Sequence, residues 1–270
     1  MNIDRINEQE KKWLLEEKYD GVASVTYEQE CALIDKGMPV AYLIGNIEFL
    51  GCHIDLLSKP LIPRAETEYW VGEVIRELKK KHSSEELQKL KILDIFSGSG
   101  CIGIALAKHL ESHIDFAELK SEHVEQIHKN LSLNCDIEYI NEKTKVFESD
   151  IFNNVPQSQY DYIFANPPYV PKDRVHEVQS SVIQHEDLKA VFADDHGNGL
   201  IKELVSNVNE YIHQGSIIYI EHDPSQTDYL KTYLENNFSI SAIADQYTKT
   251  RVLTIRTKRS SQSPLTFEHA

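Results

Sequence analysis

The chain has 270 residues, of which 41% are hydrophobic and 26% are charged, and its formal net charge at pH 7 is -15. This length and composition predict a globular protein with one large α/β domain and a small appendage, and no run reaches the roughly 18 apolar residues of a membrane span. The acidic balance argues against a protein whose main partner is a long nucleic acid, because phosphate binding depends on Lys and Arg.

The first part of the chain divides into two predicted units. Residues 1–38 contain two short apolar clusters separated by a turn with glycine, which predicts a small helical region. Residues 39–64 consist of short segments broken by glycines, and the alternation of apolar and polar residues over 52–56 predicts a β-hairpin linker. Residues 66–81 have apolar side chains on one side and are predicted to form an amphipathic helix.

The rest of the chain, residues 65–258, has the pattern of a doubly wound, Rossmann-like α/β domain. Seven runs read as strands: 91–96, 113–118, 144–149, 160–165, 216–221, 238–244 and 251–257. Helical patterns lie at 101–110, 121–133, 199–213 and 225–236. Strands that alternate with helices indicate a mostly parallel sheet, whereas the last two runs are joined by a loop and should pair antiparallel. The polar tail, 259–270, is predicted to be disordered.

A glycine-rich turn follows the first strand of this sheet and leads into a helix. Its glycines allow close approach of a ligand to the backbone, and the start of the helix offers free N–H groups to a carboxylate. A plain strand-to-helix turn has the same letters, so the turn alone leaves both interpretations open. The candidate cofactor-binding residues in the turn are Asp94, Phe96, Ser97, Gly98, Ser99 and Gly100.

Acidic residues at the ends of the next two strands suggest which ligand the turn would bind. Glu118 lies where an acid binds a ribose diol in nucleotide-binding α/β folds, although a carboxylate favoured at a helix start is an equal alternative. Asp150 and Ile151 could contact the amino group and the face of an adenine. The pattern GxGxxG and a phosphate-binding Lys are absent, so S-adenosylmethionine fits better than a dinucleotide.

The segment Asn166-Pro167-Pro168-Tyr169 follows the fourth strand. The Asn166 side-chain oxygen and the Pro167 carbonyl can each accept one N–H of a planar –NH2 group, and Tyr169 can stack on that group. The prolines restrict the backbone and lack competing N–H donors. We therefore expect Asn166, Pro167 and Tyr169 to be catalytic by positioning, and all four residues to bind the substrate. An ordinary turn is the alternative, and adenine, cytosine and glutamine all remain possible acceptors.

Together with these motifs, further segments resemble the release factor glutamine N5-methyltransferases. The similarity extends over residues 39–257. The segment Leu61–Glu68 distinguishes this family from the adenine-N6 methyltransferases, because the Asn-Pro-Pro-Tyr segment occurs in both. The segments that carry the resemblance are Pro39–Gly45 with Glu48 and Phe49, Leu61–Glu68, Asp94–Gly100, Glu118, Asp150, Asn166–Tyr169, Gly197–Leu200, Glu221, Gln226 and Arg251 with Val252.

This resemblance implies methylation of the glutamine in the Gly-Gly-Gln loop of a class I translation release factor, with S-adenosylmethionine as the methyl donor. It implies that residues 96–100 and Glu118 bind the cofactor and that Ile151 lies near the adenine. Asn166 would contact both the methyl end of the cofactor and the glutamine amide, and Pro167 to Tyr169 would shape the amide pocket. Arg64 and Glu66 would stabilise the loop over the active site.

The sequence departs from the family pattern at Phe96, Glu118 and Ala65, where the family has Gly, Asp and Pro, and its N-terminal region is shorter. An adenine-N6 DNA or RNA methyltransferase and a non-catalytic S-adenosylmethionine-binding subunit therefore remain alternatives. Four scattered cysteines without CxxC or Cys/His spacing predict reduced thiols and no metal site. We expect a soluble intracellular monomer without a membrane partner, cytoplasmic if bacterial and mitochondrial if eukaryotic.

Overall fold

The computed structural model describes residues 3–177, 180–186 and 188–258, so the predicted disordered tail lies outside the described residues. The helices are α1 (Ile3–Tyr19), α2 (Val25–Ile34), α3 (Val40–Ile44), α4 (Ala65–Lys81), α5 (Ser84–Leu87), α6 (Cys101–Leu110), α7 (Ser121–Asn134), α8 (Ile137–Lys143), α9 (Ser180–His185), α10 (Gly199–Asn207) and α11 (Thr227–Leu234). The strands are β1 (Asn46–Phe49), β2 (Cys52–Asp55), β3 (Lys91–Ile95), β4 (His113–Glu118), β5 (Thr144–Glu148), β6 (Tyr160–Ala165), β7 (Val170–Pro171), β8 (Phe192–Ala193), β9 (Ile212–Glu221), β10 (Phe238–Ala244) and β11 (Thr250–Thr257).

A seven-stranded sheet in the order β10-β11-β9-β6-β3-β4-β5 forms the centre of the molecule. Strands β3, β4, β5, β6 and β9 pair in parallel, and β11 pairs antiparallel with both β9 and β10. The predicted doubly wound fold and the antiparallel last pair are confirmed. The strand order reverses at β3, because β3 lies between β4 and β6. In open α/β sheets, ligands bind beside such a point, at the carboxyl ends of the strands.

The two faces of the sheet are buried in separate hydrophobic clusters. Side chains of consecutive strand residues point to opposite faces, so Ile92 packs with α4, α6 and the hairpin, whereas Leu93 packs with α10 and α11. The hairpin therefore shares a core with the large domain. Helices α1 to α3 have a smaller cluster of their own, formed by Leu14, Ile34 and Val40. The division of the chain into a helical region (1–38), a hairpin linker (39–64) and a large domain (65–258) stays a prediction.

Two asparagines of α7 fasten the hairpin to the domain. The Asn134 side chain accepts a hydrogen bond from the His53 amide (2.9 Å) and donates one to its carbonyl (2.8 Å). Asn130 does the same with the Asp55 backbone, at 2.8 and 3.1 Å, and also donates to the Ser99 carbonyl at 2.9 Å. Asn130 and Asn134 lie one turn apart and match alternate residues of a strand. Asn130 thereby joins the hairpin to the glycine-rich turn.

Several segments of the structure differ from the predictions. Residues 40–44 form a helix rather than part of a hairpin strand, because Gly45, at φ +94°, caps a helical turn. Short apolar runs of this kind do not distinguish helix from strand by periodicity. The helix predicted over 199–213 ends at Asn207, and a 3-10 turn leads into β9, which begins at Ile212. Helices α5, α8 and α9 and the two-residue strands β7 and β8 were not predicted.

Two further observations concern the expectations about membranes and cysteines. Within the described ranges, every helix is too short or too polar to cross a bilayer. Cys31, Cys52, Cys101 and Cys135 are all free thiols.

Candidate active site

Two adjoining cavities lie at the carboxyl ends of the parallel strands. The β3–β4 cleft has about 720 Å³ of space up to its open mouth. It is lined by Leu61, Phe96, Gly98, Ala117, Glu118, Leu119, Lys120, His123, Ser149, Asp150, Ile151, Asn166, Pro168, Ala190 and Leu200. The β6 pocket, of about 570 Å³, is lined by Leu61, Arg64, Asn166, Pro167, Pro168, Tyr169, Val170, Val182, Ala190 and Val191. Leu61, Asn166, Pro168 and Ala190 belong to both walls.

Glu118 is buried at the end of β4, with 7% of its surface exposed. Its Oε2 accepts from the Gly98 amide at 2.7 Å, and its Oε1 accepts from the Lys120 amide at 3.0 Å and lies 3.4 Å from His123 Nδ1. Burial by itself would raise the pKa of Glu118, but the hydrogen bonds from His123, Lys120 and Gly98 outweigh burial and lower the pKa. An ionised carboxylate with lone-pair capacity left on Oε2 therefore faces the cleft.

Two residues of the cleft wall, Phe96 and Ile151, have left-handed backbone conformations. Their φ angles are +61° and +47°. Such angles cost roughly 1–2 kcal/mol for a residue other than glycine, and strain of this kind clusters at ligand sites. A left-handed turn favours glycine, the residue that the resemblance implies at the position of Phe96. Here a phenyl ring fills part of the space that a glycine would leave open.

The other predicted residues of the turn build the loop without lining the cleft. Asp94 is 1% exposed and accepts from the Gly103 amide at 2.9 Å, and burial raises the pKa of its carboxyl to about 8. The Ser97 hydroxyl donates to the Asp94 carbonyl. The Ser99 carbonyl accepts from the side chain of α7 described above, and Gly100, at φ +78°, caps α6. Sequence position alone does not separate these residues from Phe96 and Gly98, which do line the cleft.

Asn166 lies between the two cavities. In β3 and β6 the last paired residues are Ile95 and Ala165, so Phe96 and Asn166 leave neighbouring strands side by side. Within the described part of the chain, the Asn166 side chain makes no hydrogen bond, and its amide is available to a ligand in either cavity. Asp150 is exposed at the far side of the cleft, in the turn after β5.

Tyr169 lines the β6 pocket and is fastened at both ends. Its hydroxyl donates to Glu221 Oε1 at 3.4 Å, and its carbonyl accepts from Gln226 Nε2 at 2.9 Å. Burial raises the pKa of Tyr169, which keeps its hydroxyl protonated. The backbone at Gly197 passes so close that a Cβ there would lie 2.0 Å from the Tyr169 carbonyl oxygen. Glu221, Gln226 and Gly197 are among the residues that carry the resemblance, but the sequence assigned no role to them. The tertiary structure shows that all three contact Tyr169.

An ion pair holds α9 over the β6 pocket. Arg64 Nη2 lies 2.8 and 2.7 Å from the two carboxylate oxygens of Glu186, whose side chain is 1% exposed. Val182, one α9 turn earlier, lines the pocket. Arg64 is thus joined to the residue that follows α9, and its role in stabilising a loop over the active site stays a prediction. Glu66 lies half-buried in the first turn of α4, and among the described residues its side chain makes no hydrogen bond or ion pair.

Comparison with known proteins shows similarities of both sequence and fold. Residues 75–188 match the family model described as "Methyltransferase small domain". The fold is similar to a ribosomal protein L11 methylase from Lactobacillus delbrueckii (TM-score 0.53, 15% identity, 76% of this chain and 84% of that chain). It is also similar to the hMettl16 catalytic domain in complex with the MAT2A 3'UTR hairpin 1 (TM-score 0.58, 17% identity, 80% and 78%). The fold is thus that of S-adenosylmethionine-dependent methyltransferases.

Sequence comparison finds relatives that share one name. The release factor glutamine methyltransferase of Lactococcus lactis is 28% identical over 223 residues, which are 81% of this chain and 77% of that protein. The chain is therefore similar in sequence to release factor glutamine methyltransferases of several bacteria. The proteins of the same name from Flavobacterium psychrophilum and Fusobacterium nucleatum are each 32% identical, over 71% and 78% of this chain. The chain spans 65% and 58% of the length of these two relatives.

Proposed function

We propose that this protein transfers a methyl group from S-adenosyl-L-methionine to the side-chain amide nitrogen of the glutamine in the Gly-Gly-Gln motif of a class I translation release factor. One observation carries the proposal: the β3–β4 cleft and the β6 pocket meet at Asn166. A methyl donor in the cleft and an amide in the pocket would therefore be adjacent. The names of the relatives support the choice of substrate.

The residues of the β3–β4 cleft fit S-adenosylmethionine. Glu118 would accept a ribose hydroxyl with the lone pair left on Oε2, so the longer acid can replace the family's Asp. Ile151 and Leu119 offer apolar surfaces for the faces of the adenine, and Asp150 would accept from its amino group. Phe96 would lie beside the methionine part of the cofactor, near Asn166. When bound, the cofactor supplies an electrophilic methyl group on a sulfonium.

The residues of the β6 pocket would bind and orient the acceptor amide. The Asn166 Oδ1 and the Pro167 carbonyl each accept one N–H, which fixes the plane of the –NH2 group and directs the nitrogen towards the cleft. Both oxygens also stabilise the positive charge that develops on nitrogen during transfer. Tyr169 would pack against the flat face of the amide. The nitrogen then loses a proton, which we assign to water.

The decisive experiment is mass spectrometry of class I release factors after incubation with the protein and methyl-labelled cofactor. We expect a gain of about 14 Da, one methylene, on the glutamine of the Gly-Gly-Gln loop. Asn166→Ala should abolish this gain but bind S-adenosylhomocysteine within about threefold of the wild type, because Asn166 is one contact among many in the cleft. Asn207→Ala, at an exposed helix end, is the matched control.

The same experiment separates the alternatives. Methylation of adenine in DNA or RNA oligonucleotides, without methylation of release factors, would replace the proposed function. Tight cofactor binding without transfer to any acceptor would indicate a non-catalytic subunit. We further propose that the protein acts as an intracellular monomer without a membrane or long nucleic-acid partner, mitochondrial if the source is eukaryotic. The bacterial origin of the relatives supports a cytoplasmic location.

A further inference from the structure

A buried carboxylate joins α4 to the acceptor segment. Glu221, the last residue of β9, is 1% exposed and lines neither cavity. Its Oε2 accepts from Trp70 Nε1 at 2.7 Å and from Thr67 Oγ1 at 2.8 Å. Its Oε1 accepts from the Tyr169 hydroxyl at 3.4 Å. The side chain thus lies behind the β6 pocket, with two bonds to the helix and one to the pocket wall.

The α4 end of this connection is rigid. Trp70 is fully buried and stacks on Phe164, with ring centroids 5.9 Å apart and planes at 12°, and on Tyr219 at 6.3 Å and 27°. Close-packed aromatic rings of this kind leave little freedom to move. Because Oε2 of Glu221 accepts from Trp70 and from Thr67 on the same helix, the carboxyl group cannot shift without breaking both bonds.

We propose that Glu221 is a positioning residue of the acceptor pocket, which holds Tyr169 at a set distance from α4. The inference rests on the proposed function, because Tyr169 is assigned there to the face of the acceptor amide. Gln226 fastens the Tyr169 carbonyl and Glu221 fastens the hydroxyl, so the ring is oriented from both ends. Loosening the hydroxyl end should impair use of the protein substrate and leave cofactor binding unchanged, since neither residue lines the β3–β4 cleft.

The contacts of Glu221 do not require its charge. In either protonation state Oε2 can accept from two donors while Oε1 bonds the Tyr169 hydroxyl. A glutamine in this place can accept from Trp70 and Thr67 with its oxygen and donate to the tyrosine oxygen with its amide. The positioning role therefore predicts that Glu221→Gln preserves activity, whereas a variant that removes the contact lowers activity.

The test uses Tyr169→Phe, which deletes the hydroxyl and leaves the ring and the core intact. We expect kcat/KM for the release factor to fall about tenfold, with an unchanged Kd for S-adenosylhomocysteine. Glu221→Gln should stay within about threefold of the wild type, and Glu221→Ala should add no further loss in the Tyr169→Phe background. Tyr160→Phe is the matched control, because that hydroxyl donates to Asp115 at 2.8 Å near the amino end of β6.

Wild-type kcat/KM in Tyr169→Phe would overturn the proposal, and so would a parallel change in the Kd for S-adenosylhomocysteine. A loss in Glu221→Gln as large as in Tyr169→Phe, with an altered pH profile, would instead assign the charge of Glu221 to the reaction. Hydrogen exchange tests the positioning role independently of the proposed function, because it needs no methyl acceptor. The Val170 amide donates to the Val191 carbonyl at 3.0 Å, and it should exchange several-fold faster in Tyr169→Phe than in Tyr160→Phe even if no acceptor is methylated. Equal exchange in both variants would contradict the positioning role.

Discussion

Gly197→Ala should destabilise the protein far more than an alanine at an unobstructed glycine. Gly197 has φ +84°, and an added Cβ would lie 2.0 Å from the Tyr169 carbonyl oxygen and 2.4 Å from Gln226 Nε2. The left-handed angle costs about 1–2 kcal/mol. The Cβ also forces apart the 2.9 Å hydrogen bond between Gln226 and Tyr169, and leaving these groups unpaired adds about 2–3 kcal/mol. We expect a total loss of about 3–5 kcal/mol in the free energy of unfolding.

Gly21→Ala is the matched control, because Gly21 has φ +79° and no atom within 4 Å of an added Cβ. This control should lose only the conformational part, about 1–2 kcal/mol. Equilibrium urea denaturation measures both values, and initial rates of methyl transfer show whether displacement of Tyr169 also slows the reaction. Equal destabilisation by the two substitutions would refute the steric argument. A large loss of stability in Gly197→Ala with wild-type kcat would refute the importance of the Tyr169 position.

Three further changes have distinct expected results. In the wild type, the free energy of unfolding should fall as pH rises from about 4 to about 8, because the raised pKa of Asp94 makes the folded state bind a proton that the unfolded chain has lost. Asp94→Asn should remove this fall, which urea denaturation across the pH range measures. Asn130→Ala should lower the free energy of unfolding by about 2–4 kcal/mol and weaken the binding of S-adenosylhomocysteine, which calorimetry measures. Asn134 makes no bond to the glycine-rich turn, so Asn134→Ala should lower the stability without changing the binding. Arg64→Lys cannot bind Glu186 through a guanidinium and should raise the KM for the release factor about tenfold without changing the cofactor Kd.

These variants separate two regions whose cavities share part of their walls, including Asn166. Changes behind the β3–β4 cleft should act on cofactor binding, and changes behind the β6 pocket should act on use of the protein substrate. Asn166→Ala differs from both groups, because it should abolish methyl transfer while cofactor binding stays within about threefold of the wild type. A variant set that divides in this way would support the proposed assignment of the two cavities, and a set in which all effects move together would contradict it.

The sequence alone predicted the seven strands of the sheet, and it singled out Glu118 and Asn166, which both line the β3–β4 cleft. The periods of strands and helices are set by residues that are neighbours in the chain, so they can be recognised in the sequence. The predicted bounds of six of the seven sheet strands agree with the structure to within about one residue. The ends of parallel strands meet at one edge, so Glu118 and Asn166 could be expected to lie near each other. Short runs were less certain, and Val40–Ile44 became a helix because Gly45 is a helix cap.

Only the tertiary structure decided how the site is divided and what holds it. The left-handed turns at Phe96 and Ile151, the wall shared by the two cavities, and the anchors Glu221 and Gln226 all depend on contacts between segments far apart in the chain. Glu221 lies 52 residues from Tyr169, and no period or local motif records that distance in space. Local patterns determine which elements form, whereas packing between elements determines which side chains face a ligand and which support them from behind.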